Sequence, residues 1–304
     1  MVRNLAIDYY QYLHTQEHRT RSIGVIPFHA SDGWLIRFKG RHGFCRRKPK
    51  PVKKRKESMR EDDSDKKLDF VAQLEEALNN YSHDVIVNMD ETPASGHTVE
   101  FPNTGWSIEE DQNLEISTWG EEKQRITLIP AVTASGQMLR LAWINNAGTY
   151  RAISKMKLPG DIASYFSKSG WINRGIMLSW CKEVLQPYLR GRPGVLIMDA
   201  FKAHWKPEIL DYLKEINVET ICVPEKQTYI LQPLDISFMG AFKRKREQIA
   251  TEIRWNNFTV LDNKEEGVIR AHSAYKQMSK MAIKRGWGIA CPTLEHLFKE
   301  ENEL

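Results

Sequence analysis

No stretch of this sequence approaches the roughly 18–20 consecutive apolar residues that a membrane-spanning helix requires. The opening MVRNLAIDYY places Asp8 where a secretory signal needs an unbroken hydrophobic run, which sets aside the secretory reading as well. Cysteine is scarce: the four, Cys45, Cys181, Cys222 and Cys291, are far apart, form no CxxC and sit at no zinc spacing from a histidine. Neither a disulfide framework nor a structural zinc site is expected, and a reducing intracellular compartment fits. Internal repeats are missing, and only one segment is compositionally biased. The rest is ordinary globular material: 304 residues, 41% hydrophobic, enough for two domains or for one large domain with an attached arm.

Charge is unevenly spread. Residues 1–60 hold 15 Lys/Arg against 4 Asp/Glu, a net +11 in a chain whose total is +5, so the remaining residues carry a net −6. A basic block on a mildly acidic body points to a polyanion as the partner of that block. Its densest part lies in RRKPKPVKKRKESMREDDSDKK (46–67), which has few apolar side chains and reads as an exposed linker turning from basic to acidic near Glu57. Eight of the eleven residues 46–56 are Lys or Arg, among them Arg46, Arg47, Lys48, Lys53, Lys54, Arg55 and Lys56. Nuclear import receptors and nucleic-acid phosphates both read such clusters. The alternative is a solvated charge run.

Ahead of the linker, Trp34, Leu35 and Phe38 mark the seam of a short helix with Ser31 as its N-cap. Arg37, Lys39 and Arg41 lie on the other face, as on helices that meet the DNA groove. Beyond it, Phe70, Leu74 and Leu78 predict an amphipathic helix over 68–81. The period then changes: 83–92, 124–136, 138–145, 194–201 and 218–224 predict strands. Helical patterns fall at 176–189 and 206–217, the latter with Pro207 in its first turn. This order predicts an α/β fold, a mixed sheet with helices on its faces.

Three aspartates share a setting. Asp90 ends VIVNMD and Asp199 ends GVLIMD, at the carboxyl ends of predicted strands where open α/β sheets place their ligands. Asp235 follows Gln232-Pro233-Leu234, where a helix begins. If the strands are neighbours, the three carboxylates converge, and convergent carboxylates need a cation. Oxygen ligands favour Mg²⁺ or Mn²⁺, and two such ions about 3.5–4 Å apart serve in-line phosphoryl displacement. Glu91 competes with Asp90 for the first position, and His204, five residues after Asp199, is placed to reach the scissile phosphate. Each aspartate alone would more often be a turn former or a helix cap.

NMDETP, LIMDAFKAH and LQPLDISFMGAFKRK, in that order, resemble the three blocks of the DDE-superfamily transposases of the pogo/Tigger/jerky type, in the Tc1/mariner group. The likeness runs from about Asp84 to Arg246. HASDGWLIRFKGRHGF resembles the end of the CENP-B-type helix-turn-helix that precedes the catalytic domain in that family, so that the chain starts partway into this module. The resemblance implies an RNase H-like mixed sheet flanked by helices, preceded by a small all-α helix-turn-helix remnant. It divides the chain into a partial DNA-binding domain (1–45), a charged linker (46–67), a catalytic domain (68–254) and a helical extension (255–304). Asp90, Asp199 and Asp235 become catalytic metal ligands for two Mg²⁺ or Mn²⁺ ions, with 35 residues between the last two. The resemblance also implies that Lys243, Arg244, Lys245 and Arg246 lie where a DNA backbone would pass, the alternative being a solvated helix face. Ala200 stands where the family commonly has Asn, and Pro93 where it commonly has Gly; neither removes a ligand.

The expected activity is metal-dependent cleavage and transfer of DNA strands in the nucleus. Double-stranded DNA is the expected partner, with a nuclear import receptor for the basic cluster, no membrane, and self-association left open. The rival is a non-catalytic nuclear DNA-binding protein, domesticated or decayed from such a transposase. A metal-dependent phosphatase or nuclease on another α/β fold is a third reading, opposed by the order and flanks of the motifs.

Overall fold

The computed structural model describes residues 29–42, 44–47, 61–95, 105–108, 125–146, 153, 155–256 and 264–298. The chain divides into two units, Met1–Lys56 with Phe101–Thr118 and Glu57–Glu100 with Trp119–Leu304. In the first, helix α1 (Asp32–Arg41) begins as expected: the Ser31 hydroxyl accepts from the Trp34 N–H at 3.2 Å. Trp34 stacks on Phe38 with ring centroids 4.9 Å apart. Strand β1 (Phe44–Arg47) then pairs antiparallel with β4 (Gly105–Ile108). This ladder adds strand to a unit read from its sequence as helical, because the partner of Phe44–Arg47 lies some sixty residues away, beyond any local pattern.

The second unit holds the sheet. Helix α2 (Glu61–Asn80) starts seven residues before the predicted helix, so the acidic part of the stretch read as linker is helical. Acidic residue types suit a helix N-terminus, where the backbone dipole favours negative charge. Phe70, Leu74, Ala77 and Leu78 bury its inner stripe. Strand β2 (Ile86–Met89) passes through Asp90-Glu91 into β3 (Thr92–Ser95). Likewise β5 (Arg125–Ile129) passes through Pro130, which has no N–H for a ladder, into β6 (Ala131–Thr133). Val87 faces Thr133 and Thr92 faces Leu128 in one unbroken antiparallel register. The Asp90 N–H reaches the Pro130 carbonyl at 3.3 Å across the double break.

Strand β7 (Ala142–Asn145) pairs antiparallel with β5, and β8 (Ala163–Phe166) lies parallel to β7. On the other side β9 (Gly194–Asp199) runs parallel to β2, and β10 (Val218–Val223) parallel to β9. The order β10-β9-β2-β6 thus continues through the shared strands into β3-β5-β7-β8. This is the expected RNase H-like mixed sheet.

Side chains alternate between two layers, as the pleat requires. Ile86, Val195, Ile197 and Ile221 face one way. Val87, Met89, Leu196 and Met198 face the other. The second layer is closed by α3 (Arg174–Trp180), its π-helical continuation Cys181–Leu185, α4 (Gln186–Leu189) and α5 (Pro207–Glu215), through Trp180, Val184, Ile209 and Leu213. The first layer receives α2 and the carboxyl-terminal helices. These are α6 (Thr228–Leu231), a π-helical turn Leu234–Phe238, α7 (Met239–Asn256), α8 (Lys264–Lys276), α9 (Lys280–Ala290) and the 3₁₀ segment Pro292–Phe298. Phe238, Phe242, Tyr275 and Trp287 bury there with the sheet residues in one cluster. Among the described residues no helix is long and apolar enough to cross a membrane.

Candidate active site

Strand register assembles the site. Asn88 on β2 lies opposite Ile197 on β9, so two residues further on Asp90 and Asp199 are level on adjacent parallel strands. The two-residue period also puts them on the same face, the one that carries Ile86 and Ile197. Asp235 arrives from above that face, in the π-helical turn that buries Leu234 and Phe238 against it.

Each carboxylate is held locally. The Asp90 Oδ1 accepts from the Glu91 N–H at 2.8 Å, and the Asp199 Oδ1 from the Phe201 N–H at 3.1 Å. The Trp205 indole donates to the Asp199 carbonyl at 2.7 Å, fixing the loop that carries His204. His204 is wholly buried. Its Nε2 lies 2.9 Å from Glu91 Oε1, and its Nδ1 lies 2.9 Å from Asp199 Oδ1, an ion-pair contact off the straight line a hydrogen bond prefers. The Phe201 ring meets the imidazole edge-on at 5.6 Å.

The electrostatics follow from this crowding. Burial, then the charges of Asp235, Glu91 and Asp199, push the Asp90 carboxyl well above its ordinary value. Asp235 is raised too: burial and Asp199 outweigh the help of Lys243 and a hydrogen bond from Thr228. Burial alone would raise Asp199, but the close contact and charge of His204 bring it below the ordinary value. Burial likewise opposes charge on His204, yet Asp199 and Glu91 carry its pKa up to about 10, so it is an imidazolium at neutral pH.

The three aspartates therefore sense one another, and Glu91 and His204 join them. Among the described residues no group of three or more His, Cys, Asp or Glu is gathered at metal-ligand distance. The donor set fits a hard cation, being all oxygen and, among the described residues, leaving Asp90 with no cationic partner of its own.

Of the expected DNA-contact residues, Arg37 and Arg41 are exposed and Lys39 is half-buried on α1, in the other unit. Arg46 and Arg47 are in β1; Lys48, Lys53, Lys54, Arg55 and Lys56 lie outside the described residues. Lys243 and Arg244 are exposed on α7, about two turns past Asp235. Arg246 corrects the expectation: it is buried, with its guanidinium 5.6 Å from the Phe242 ring centre, because its position falls on the inner stripe of α7. One residue was missed. Asn88, wholly buried in an apolar strand, donates to the carbonyls of Ile197 at 3.0 Å and Met89 at 3.3 Å, and accepts from the Leu234 N–H at 3.0 Å. The one sequence signal was a lone amide interrupting VIVNM.

The profile of the family described as DDE superfamily endonuclease matches residues 123–287, a stretch that includes Asp199 and Asp235 and begins after Asp90. Jerky protein of Mus musculus is 25% identical over 275 residues, 87% of this chain and 46% of that protein. The Jerky protein homolog of Homo sapiens is 24% identical over 256 residues, 80% of this chain and 42% of that protein. The chain thus spans under half the length of these curated relatives. Among solved structures, the Mos1 transposase paired-end complex with left transposon end is similar with a TM-score of 0.53 at 12% identity, covering 87% of this chain and 69% of that one. The Mos1 mariner paired end complex with Mn gives a TM-score of 0.50 at 12% identity, with the same coverage. These likenesses show the fold.

Proposed function

The chain belongs to the DDE superfamily endonuclease family, among the DDE transposases of the pogo/Tc1-mariner type, and on that premise we propose that it cleaves and transfers DNA strands at Asp90, Asp199 and Asp235. One observation carries this reading: two carboxylates level on adjacent parallel strands and a third delivered over them, close enough that all raise the charge burden on Asp90. Asp90, Asp199 and Asp235 are the residues that would hold Mg²⁺ or Mn²⁺, two ions in this reading. When bound, such ions supply Lewis-acid polarisation of the phosphate and make the attacking water or hydroxyl more acidic.

The chain's own residues orient the reaction. His204, as an imidazolium between Glu91 and Asp199, fixes both carboxylates and offsets part of their repulsion. Lys243 and Arg244, exposed beside Asp235, would take DNA phosphates, with Arg37, Arg41 and the 46–56 cluster adding contacts in the other unit. A protein of the same fold is solved with a transposon end, and a DNA end is the substrate class proposed for this chain. The basic cluster further supports a nuclear location.

Purified protein with Mn²⁺ should nick supercoiled plasmid, and the Asp199→Ala variant prepared identically should not. A second reading, a DNA-binding descendant of a transposase that no longer cuts, is favoured by the net +11 of residues 1–60, a stretch of the sequence that includes none of the three aspartates. Binding without cutting by the parent would select it.

A further inference from the structure

We propose that Asn88 is a positioning residue that sets the spacing of the three aspartates, its one amide bracing every element that carries them. The inference rests on the reading of those aspartates as cation ligands. Asn88 stands two residues before Asp90; the carbonyl it donates to, Ile197, stands two residues before Asp199; the N–H it accepts, Leu234, belongs to the residue before Asp235. Strands β2 and β9 are already joined by their own ladder. The Leu234 turn is in no ladder, and an N–H in the first turn of a helix has no partner within the helix. The Asn88 oxygen supplies that partner from across the fold.

Helix α9 presses on the same turn. A Cβ on Gly286 of α9 would collide with the Pro233 carbonyl oxygen and stand 2.8 Å from Ser237 Oγ, so α9 touches the backbone directly. The turn that carries Asp235 is thus held by both α9 and the Asn88 amide. An apolar side chain at 88 would fill the same space but make none of the three bonds; an aspartate would accept from Leu234 but repel the Ile197 carbonyl.

The test uses the full chain stripped of metal with chelator. Mn²⁺ affinity is read from the paramagnetic resonance signal of the free ion, and stability from urea unfolding. Asn88→Ala should weaken Mn²⁺ binding by about 10–100-fold, the usual effect of removing a group that orients ligands. The control is Thr127→Val, which removes another buried hydrogen bond of the sheet, from Thr127 Oγ1 to the Gly170 carbonyl at 2.7 Å. It should lose stability and keep its affinity. Should Asn88→Ala fail to fold, Asn88→Gln retains the amide one methylene further out and should still lose affinity. Parent-like affinity in a folded Asn88 variant overturns the proposal.

If the parent itself binds no Mn²⁺, the proposed function loses its ligands, and the bracket is judged without metal. Asp90→Asn and Asp235→Asn, singly and together, give the repulsion between the two carboxylates in urea. That coupling should shrink in the Asn88→Ala background, or in the Asn88→Gln background where Asn88→Ala does not fold, and an unchanged value overturns the proposal.

Discussion

Asp90 is the side chain on which the neighbouring charges bear hardest. Its carboxyl sits beside three other acids, and its one local hydrogen bond, from the Glu91 N–H, does not require ionisation. Asp90→Asn keeps that acceptor and removes the charge. In the absence of metal it should raise stability by about 1 kcal/mol, and with Mn²⁺ it should abolish cleavage. A urea midpoint that falls instead would mean that the carboxylates do not repel. Asp84 shows the opposite shift: the Ser82 hydroxyl and then the Arg192 guanidinium hold it below the ordinary value of 3.8. A depressed carboxyl stabilises the fold above the unfolded value, and that contribution is lost as pH falls through the folded one. Arg192→Met should therefore cost under about 1 kcal/mol at neutral pH, both groups being partly exposed. Its difference from the parent should vanish in strong acid, as followed by unfolding curves across pH.

Among the helices, α9 has the narrowest tolerance. It approaches the Pro233–Leu234 backbone so closely that only a residue without Cβ fits at 286, and Ser237 donates to the Ala282 carbonyl along the same seam. Gly286→Ala should cost about 1–3 kcal/mol by overpacking and, because the displaced turn carries Asp235, should also slow plasmid nicking. Unchanged nicking by a folded variant would show that the turn relaxes independently of α9. On α8, the Tyr275 hydroxyl donates to the Ala131 carbonyl at 2.7 Å beside the Pro130 break, so this helix steadies the strand opposite Asp90.

Charge is partitioned between the two units, with a basic amino-terminal block and a mildly acidic remainder. If the block neutralises phosphates, each one neutralised contributes about −0.9 to the slope of log affinity against log salt. Replacing Lys53, Lys54, Arg55 and Lys56 by Glu should weaken DNA binding and flatten that slope by about 0.9 for every phosphate no longer neutralised. An equal slope in parent and variant would remove the cluster from DNA binding. Cleavage of DNA already bound should depend on the carboxylates, and the two properties should separate by mutation.

Strands β2, β5–β6, β7, β9 and β10 were legible because alternating or continuous apolar runs bounded by turn residues have few other ways to bury themselves. So were helices α1 and α5, through Ser31 and Pro207 at their starts. The three aspartates could be picked out from their positions at the ends of such segments. Strands β1 and β4 escaped because each is four residues long and its partner is remote. Strand β8 escaped because only pairing with β7 makes Ala163–Phe166 a strand. The inward turn of Arg246 and the bracket at Asn88 had no local signature, since a hydrogen bond spanning 146 residues leaves no trace in the spacing of either end. Composition and periodicity are properties of neighbours along the chain, and they pointed to an α/β class and to candidate acids, which the motif resemblance then joined into one set. Which acids meet, what holds them apart and which cation opposes them depended on register and helix packing, which bring residues together only after the chain has folded.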